Sequence, residues 1–196
     1  MRKEAFFDLI QRVKDVTGLS EPVIVGSHCI YAVTDFVPDI VARSVEADFL
    51  LGPFGIELMQ KVNQELGITS VFFKQSGYYA DGLGLATVVL VPGWESRLQL
   101  LEDEVGQVVA RCLDLHDVAV SKMMAGRDKD MIFLSAVLDR NMISIPTLAE
   151  RAALIRETAS EGALLPRLEK LFNHLRLQRS TYDLAPLTNL INQLKS

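Results

Sequence analysis

The sequence predicts an α+β fold, in which a small mixed β-sheet is packed with helices and is followed by a C-terminal helical region. Two features of the apolar pattern predict it. Up to about residue 113 apolar residues alternate with polar ones or form short β-branched runs, whereas from Asp114 onward they recur at helical spacing. With 196 residues, 49% of them apolar, the chain is long enough for one core and a helical extension. The predicted domains are therefore 1–113, which holds the sheet, and 114–196, a helical region packed on it.

The first predicted domain begins with an amphipathic helix that is expected to end near Gly18. A buried strand follows at 22–27, and its last residues, Gly26 and Ser27, turn into the next element. A second strand is expected at 44–51, where apolar and acidic residues alternate. The remaining predicted elements of this half are a helix over 54–66, strands at 70–74, 85–91 and 106–113, and a loop at 75–82.

The second predicted domain consists of helices. Its apolar residues return every three or four positions, and turns are expected at 141–146 and 180–186, where proline and polar residues interrupt the pattern. The predicted helices cover 114–125, 127–140, 147–158, 161–178 and 186–195.

Charge, hydropathy and cysteine content limit the class of protein. Lysine and arginine number 20 and aspartate and glutamate 25, so the formal net charge is −5 and strong binding to duplex nucleic acid is not expected. The stretch Gly82–Trp94 has no ionised residue but is only 13 residues long, against the roughly 18 that a membrane-spanning helix needs. Cys29 and Cys112 lack the spacing of zinc ligands. We therefore expect a cytoplasmic protein without membrane contacts.

Two carboxylates on the second predicted strand are the leading candidates for chemistry. Glu46 and Asp48 are two positions apart, so they project from the same face with Cα atoms roughly 6.5 to 7 Å apart. Both carboxylates are then able to reach one divalent ion, and magnesium prefers a few carboxylates together with water and substrate phosphates. The alternative interpretation is that they form the solvated face of an edge strand.

The turn Gly26-Ser27 is a candidate phosphate site. It ends one strand and opens the next element, where free backbone N–H groups and a hydroxyl are suited to hold a phosphate. Glycine and serine also occur in any tight turn, which is the alternative interpretation. The combination of this turn with a following strand that carries Glu-x-Asp is more informative than either part.

At these residues the chain resembles the nucleotidyltransferase-fold superfamily, which includes polymerase-beta-like enzymes, minimal nucleotidyltransferases and AbiEii-type toxins. It is most similar to an uncharacterised bacterial branch of that superfamily. The resemblance extends from about Ile24 to Asn141 and is carried by Val25-Gly26-Ser27, Arg43 to Asp48, Gly77 to Ala80, Pro92 to Trp94 with Arg97-Leu98, and His116 to Lys122 through Ala125 to Asp130.

The resemblance implies a site for magnesium and a nucleoside triphosphate. Its implied catalytic residues and metal ligands are Glu46 and Asp48, and its implied nucleotide-binding residues are Gly26, Ser27, Arg43, Lys122, Arg127 and Lys129. Lys122 also lies on an apolar helical stripe, so its ammonium is expected to need an acidic partner such as Glu46 or Asp48, or a nucleotide phosphate. Alternatively, its stem packs while the ammonium reaches water. Arg127 and Lys129 are either phosphate contacts or a solvated helix start.

The predicted strands after 44–51 lack the third carboxylate that the resemblance leads us to expect. Active relatives add an aspartate on a later strand, yet the predicted strand 85–91 contains none. Asp81 and Asp117 are the alternatives, but neither falls on a predicted strand. Tyr78 and Tyr79 are candidates for stacking on a nucleobase or for packing against the sheet, and packing is favoured.

Two functions follow from this pattern. The first is magnesium-dependent transfer of a nucleotidyl group from a nucleoside triphosphate to a hydroxyl on a protein, RNA or small molecule. The second is a catalytically degenerate nucleotide- or protein-binding module, acting with a protein partner in a toxin-antitoxin or defence pair. The missing third carboxylate favours the second, and predicts nucleotide binding with weak or undetectable transfer.

Overall fold

The computed structural model describes residues 1–158, 160–178 and 181–196, which form two compact units. The first unit comprises residues 1–88 and 95–114 and contains the β-sheet. The second comprises residues 89–94 and 115–196 and is helical. The predicted α+β class is confirmed. Residue 180, where the last predicted turn begins, lies outside the described residues.

The sheet of the first unit is mixed and has five strands. In chain order these are β1 (Val23–Ile24), β2 (Glu46–Leu50), β3 (Tyr79–Leu83), β4 (Gln99–Glu102) and β5 (Val108–Cys112). Their spatial order is β3-β2-β1-β5-β4, so β3 and β4 form the two edges. Strand β2 pairs antiparallel with β1 and parallel with β3, while β5 pairs parallel with β1 and antiparallel with β4.

Four α-helices accompany this sheet among the described residues: α1 (Lys3–Thr17), α2 (Asp39–Ala42), α3 (Ile56–Leu66) and α4 (Val71–Ser76). Helix α1 ends as predicted, because Gly18 adopts the left-handed conformation at φ 74° and donates its N–H to Lys14 O. Helices α1 and α3 pack on one face of the sheet, where Ala47, Phe49 and Ala80 are fully buried. The opposite face of β2 and β3 is polar at Glu46, Asp48, Tyr79 and Asp81 and apolar at its end, where Leu50 is fully buried.

The predictions for residues 70–82 were wrong in both elements. The segment 70–74, predicted as a strand, belongs to α4, because the Ser70 hydroxyl accepts the N–H of Phe73 at 3.0 Å and starts a helix. That helix ends at Gly77, which is left-handed at φ 78°. The predicted loop 75–82 contains most of strand β3.

Strand β3 is an edge strand whose outer side is occupied by a side chain of α3. Asn63 donates its amide to Gly82 O at 3.0 Å and accepts the N–H of Gly82 at 2.7 Å, as a neighbouring strand would. Glycine is needed at position 82, since a Cβ there would lie 3.1 Å from both Asn63 Oδ1 and Met59 O. Asn63 therefore fixes the position of β3 on the sheet.

The prediction of a strand at 85–91 was also wrong. Leu85 is 55% exposed, and Thr87 folds back on Gly84 by donating both its N–H and its hydroxyl to Gly84 O. Residues 89–94 belong to the second unit, where Val91 is fully buried. The apolar residues of this run therefore do not enter the sheet.

The helices of the second unit agree with the predicted ones to within about two residues at each end, except that the predicted helix 147–158 is divided into α7 and a 3₁₀ helix, Leu154–Glu157. They are α5 (Leu115–Ala125), α6 (Asp128–Asp139), α7 (Ile145–Ala153), α8 (Glu161–Leu177) and α9 (Ala185–Lys195). Their core is built from fully buried leucines: Leu134, Leu148, Leu164, Leu168, Leu171, Leu175 and Leu187. In the part of the chain that the structure describes, no helix has the length and apolar character needed to span a membrane.

Candidate active site

The two predicted carboxylates lie on one face of β2. Ala47 and Phe49 point to the other face and are fully buried, whereas Glu46 and Asp48 are only partly buried. The expectation that their strand neighbours the one ending at Gly26 is confirmed, because Val25 donates its N–H to Asp48 O at 3.0 Å.

The Asp48 carboxylate lies directly against Gly26. A Cβ at position 26 would fall 1.7 Å from Asp48 Oδ2, so the carboxylate occupies space that only glycine leaves open. The turn is anchored by His28, which is fully buried and stacks on Phe6 of α1 with ring centroids 5.0 Å apart. Ser27, which is partly buried, starts a 3₁₀ helix that ends at Ala32.

A third carboxylate stands beside the first two. In the parallel register of β2 and β3, Asp81 is directly opposite Asp48 and Tyr79 is opposite Glu46. Directly opposite residues share a sheet face, so Glu46, Asp48 and Asp81 all project to the polar side. The sequence left Asp81 as an alternative third carboxylate that fell on no predicted strand, and the structure places it on β3, opposite Asp48. Burial, and then the nearby charge of Glu46, raise the pKa of Asp81.

Tyr79 is the hydrogen-bond partner of Glu46. Its hydroxyl donates to Glu46 Oε2 at 2.8 Å, and its ring packs edge-on against Phe73 with centroids 5.2 Å apart. Burial, followed by this hydrogen bond, raises the Tyr79 pKa well above that of an ordinary tyrosine, so the hydroxyl stays protonated at neutral pH. Tyr78 points to the other face and packs against Phe72. Both tyrosines therefore pack against phenylalanines, in agreement with the packing that the sequence favours. The hydrogen bond from Tyr79 to Glu46 is an additional contact that the sequence did not predict.

The donor set on this face fits magnesium. All three side chains offer hard carboxylate oxygens, and magnesium is commonly bound by one or two carboxylates plus substrate phosphates. Within the described residues, no group of three His, Cys, Asp or Glu side chains forms a ready-made metal centre. Asp48 is held against Gly26 and Glu46 is held by Tyr79, so the structure shows separately positioned donors on a common face.

The other predicted nucleotide-binding residues belong to helices or to the residues next to them. Arg43 directly follows α2, and its side chain is 82% exposed. Its Nη2 lies 3.5 Å from Asp39 Oδ2. In the second unit, the acidic partner of Lys122 is Asp130, with Nζ 3.5 Å from Oδ1, rather than Glu46 or Asp48. Arg127 binds the same carboxylate, with Nε 2.7 Å from Oδ2.

Two further candidates lie on the helices of the second unit. Lys129 is exposed near the start of α6. Asp117, considered above as a third carboxylate, is fully buried on α5, with Oδ1 3.7 Å from Arg151 Nε. Asp117 therefore lies on a helix and not on a strand of the sheet, whereas Asp81 lies on strand β3.

Asp81→Asn is expected to raise the stability of the protein at pH 7 by about 0.5 kcal/mol, a modest value because solvent reaches this carboxylate. The pKa of Asp81 is higher in the folded than in the unfolded chain, so its favourable contribution exists at low pH and is lost as pH rises through the folded value. Asparagine stays neutral, so the gain should vanish near pH 3. Thermal unfolding at both pH values measures it, with Asp39→Asn as the exposed control. A destabilised variant at pH 7 contradicts this account.

These observations define the class of protein. A glycine turn beside a strand with Glu-x-Asp, and a third carboxylate on the adjacent strand, form the arrangement of the nucleotidyltransferase fold that the sequence resembles. The chain belongs to the family described as nucleotidyltransferase of unknown function (DUF6036), whose model matches residues 4–164. No curated protein and no solved structure matches it significantly.

Proposed function

We propose that the protein is a magnesium-dependent nucleotidyltransferase that moves a nucleotidyl group from a nucleoside triphosphate to a hydroxyl acceptor. The observation that carries the proposal is the presence of Glu46, Asp48 and Asp81 on one sheet face, with Asp48 against Gly26. A nucleotide substrate fits the cytoplasmic location predicted from the sequence.

In this proposal Glu46 and Asp48 would hold the metal, and Asp81 lies beside Asp48 on the adjacent strand. A bound Mg²⁺ supplies positive charge that offsets the charge on the phosphates and on the attacking oxygen. The acceptor oxygen forms a bond to the α-phosphorus while the bond from that phosphorus to the β-phosphate breaks, pyrophosphate leaves with the electron pair, and the hydroxyl proton passes to solvent water. The chain contributes orientation: Tyr79 holds Glu46, and Gly26 leaves room for Asp48.

The phosphates are assigned to the turn and to basic side chains. Gly26 and Ser27 are proposed to contact them at the end of β1. Arg43 is the proposed basic contact of the first unit, and it is exposed to solvent. Lys122, Arg127 and Lys129 belong to the second unit, where Asp130 pairs with Lys122 and Arg127, and their contact with phosphates stays a prediction from the sequence.

The alternative of a degenerate binding module in a toxin-antitoxin or defence pair was favoured by the absence of a third carboxylate. Strand β3 places the Asp81 carboxylate opposite Asp48. The argument for the binding module is therefore weaker. We therefore place the enzyme first and expect measurable transfer rather than nucleotide binding alone.

The test is a labelled-transfer assay. Purified protein is incubated with each α-labelled nucleoside triphosphate, Mg²⁺ or Mn²⁺, and a cell lysate as the source of acceptors. The variant Glu46→Ala with Asp48→Ala should lose transfer by about 100-fold or more. Asp39→Ala, whose carboxylate is 87% exposed, is the matched control and should retain transfer. Nucleotide binding without transfer would support the binding module, and equal transfer by the double variant would refute the site.

A further inference from the structure

One hydrogen bond in the candidate site joins two adjacent strands. Tyr79 stands opposite Glu46 in the β2–β3 register, and its hydroxyl donates to Glu46 Oε2 at 2.8 Å. The ring is 9% exposed and is flanked by Phe73, while β3 itself is held by Asn63 through Gly82. Tyr79 is therefore a fixed donor rather than a mobile surface side chain.

We infer that Tyr79 is a positioning residue that sets the orientation of the Glu46 carboxylate for a divalent cation. The inference rests on the proposed function, since it assigns Glu46 to the metal. The hydrogen bond holds Oε2 and thereby fixes the orientation of the carboxylate that would bind the cation. A glutamate has one more rotatable bond than an aspartate, and fixing it in advance lowers the entropy lost when the cation binds.

The hydrogen bond to Tyr79 depends on the length of the side chain at position 46. An aspartate there would be shorter by one carbon–carbon bond, about 1.5 Å, and would not reach the Tyr79 hydroxyl from the same backbone. Glu46 and Tyr79 are therefore expected to act as a pair.

The chain contains a matched control at the neighbouring position. Tyr78 also donates its hydroxyl to a carboxylate oxygen at 2.8 Å, that of Asp8 Oδ2, and its ring also packs edge-on against a phenylalanine, Phe72. It points to the opposite face of β3, toward α1. Removing either hydroxyl therefore deletes one equivalent hydrogen bond, but only Tyr79 faces the candidate metal site.

The experiment measures Mn²⁺ affinity by electron paramagnetic resonance on the full chain. Tyr79→Phe should weaken Mn²⁺ binding by about tenfold, the lower end of the range for removing a residue that orients a metal ligand. Tyr78→Phe should leave Mn²⁺ affinity unchanged. Thermal unfolding should show similar stability losses for the two variants, because each loses one tyrosine–carboxylate bond.

A double-mutant cycle tests the pairing. Glu46→Asp should weaken Mn²⁺ binding in the wild-type background and have a much smaller effect in Tyr79→Phe, because the hydrogen bond that it breaks is already gone. Additive effects of the two substitutions overturn the pairing. Should Tyr79→Phe fail to fold, Glu46→Asp with Tyr79 intact tests the same contact and should also bind Mn²⁺ about tenfold more weakly.

The two proposals fail in different ways. Wild-type protein that binds no Mn²⁺ overturns the metal site of the proposed function, and the role of Tyr79 falls with it. Wild-type protein that binds Mn²⁺ as tightly as Tyr79→Phe leaves the metal site standing and overturns the positioning role alone.

Discussion

Gly26→Ala is expected to weaken metal-dependent nucleotide binding by about 100-fold while leaving the protein folded. The new Cβ would lie 1.7 Å from Asp48 Oδ2 and 3.0 Å from Asp48 Cβ, so the carboxylate must turn away from its present position. The backbone tolerates alanine, because Gly26 has an ordinary extended conformation at φ −95°. The obstruction therefore affects a metal ligand more than the fold. Calorimetric titration of the protein with a nucleoside triphosphate, in the presence of Mn²⁺, measures the affinity.

The control for this substitution is Gly162→Ala. Gly162 lies in α8, and a Cβ there would have no atom within 4 Å, so nucleotide affinity should not change. Circular dichroism and thermal unfolding establish that both variants are folded. Equal nucleotide affinity in Gly26→Ala and wild type would show that the position of the Asp48 carboxylate is irrelevant to binding.

Asp130→Asn is expected to destabilise the protein by about 3 kcal/mol, because it removes the carboxylate that holds two cations. The Asp130 side chain is 1% exposed and accepts hydrogen bonds from the Arg127 backbone and guanidinium. Arg127 is 57% exposed and is able to turn to water, but Lys122 is 15% exposed and would lose its acidic partner. Urea denaturation at pH 7 measures the loss.

Asp128→Asn is the matched control two residues away. Its carboxylate is 96% exposed and pairs with Lys170 at 3.1 Å, so its removal should cost under about 0.5 kcal/mol. A similar loss in both variants would show that general charge on α6, and not the buried pair, sets the stability.

The contribution of Asp130 to the free energy of unfolding should also depend on pH. Burial alone would raise the Asp130 pKa, but the hydrogen bond from Arg127 and the charge of Lys122 outweigh it and lower the pKa. A carboxylate with a lowered folded pKa stabilises the protein above its unfolded pKa, about 3.9, and loses this contribution as pH falls through the folded value. The difference between wild type and Asp130→Asn should therefore stay constant near neutral pH and narrow below about pH 4. An unchanged difference at pH 3 would point to packing rather than charge.

The amino-acid sequence by itself determined the helices of the second unit and the central motif of the first. Apolar residues at helical spacing predicted α5 to α9. Helices α7 to α9 each bury one stripe, whereas α5 and α6 are buried over most of their surface. Alternation around Ala47 predicted β2 and the common face of Glu46 and Asp48. These are local patterns, in which each residue's environment follows from neighbours within a few positions.

The tertiary structure alone decided the third carboxylate and the partners of the charged groups. Asp81 and Gly82 are poor strand formers, so their segment looks like a loop, yet β2 on one side and Asn63 on the other hold it as β3. Lys122 needed an acidic partner, but its spacing did not say that Asp130 would be that partner. Strand pairing and ion pairing join residues that are distant or on different turns of the chain. The free energy of strand and ion pairing comes from contacts between residues that are far apart in the sequence, which local periodicity does not encode. The sequence therefore named Asp81 and Tyr79 as candidates, but only the folded sheet places Asp81 opposite Asp48 and Tyr79 against Glu46.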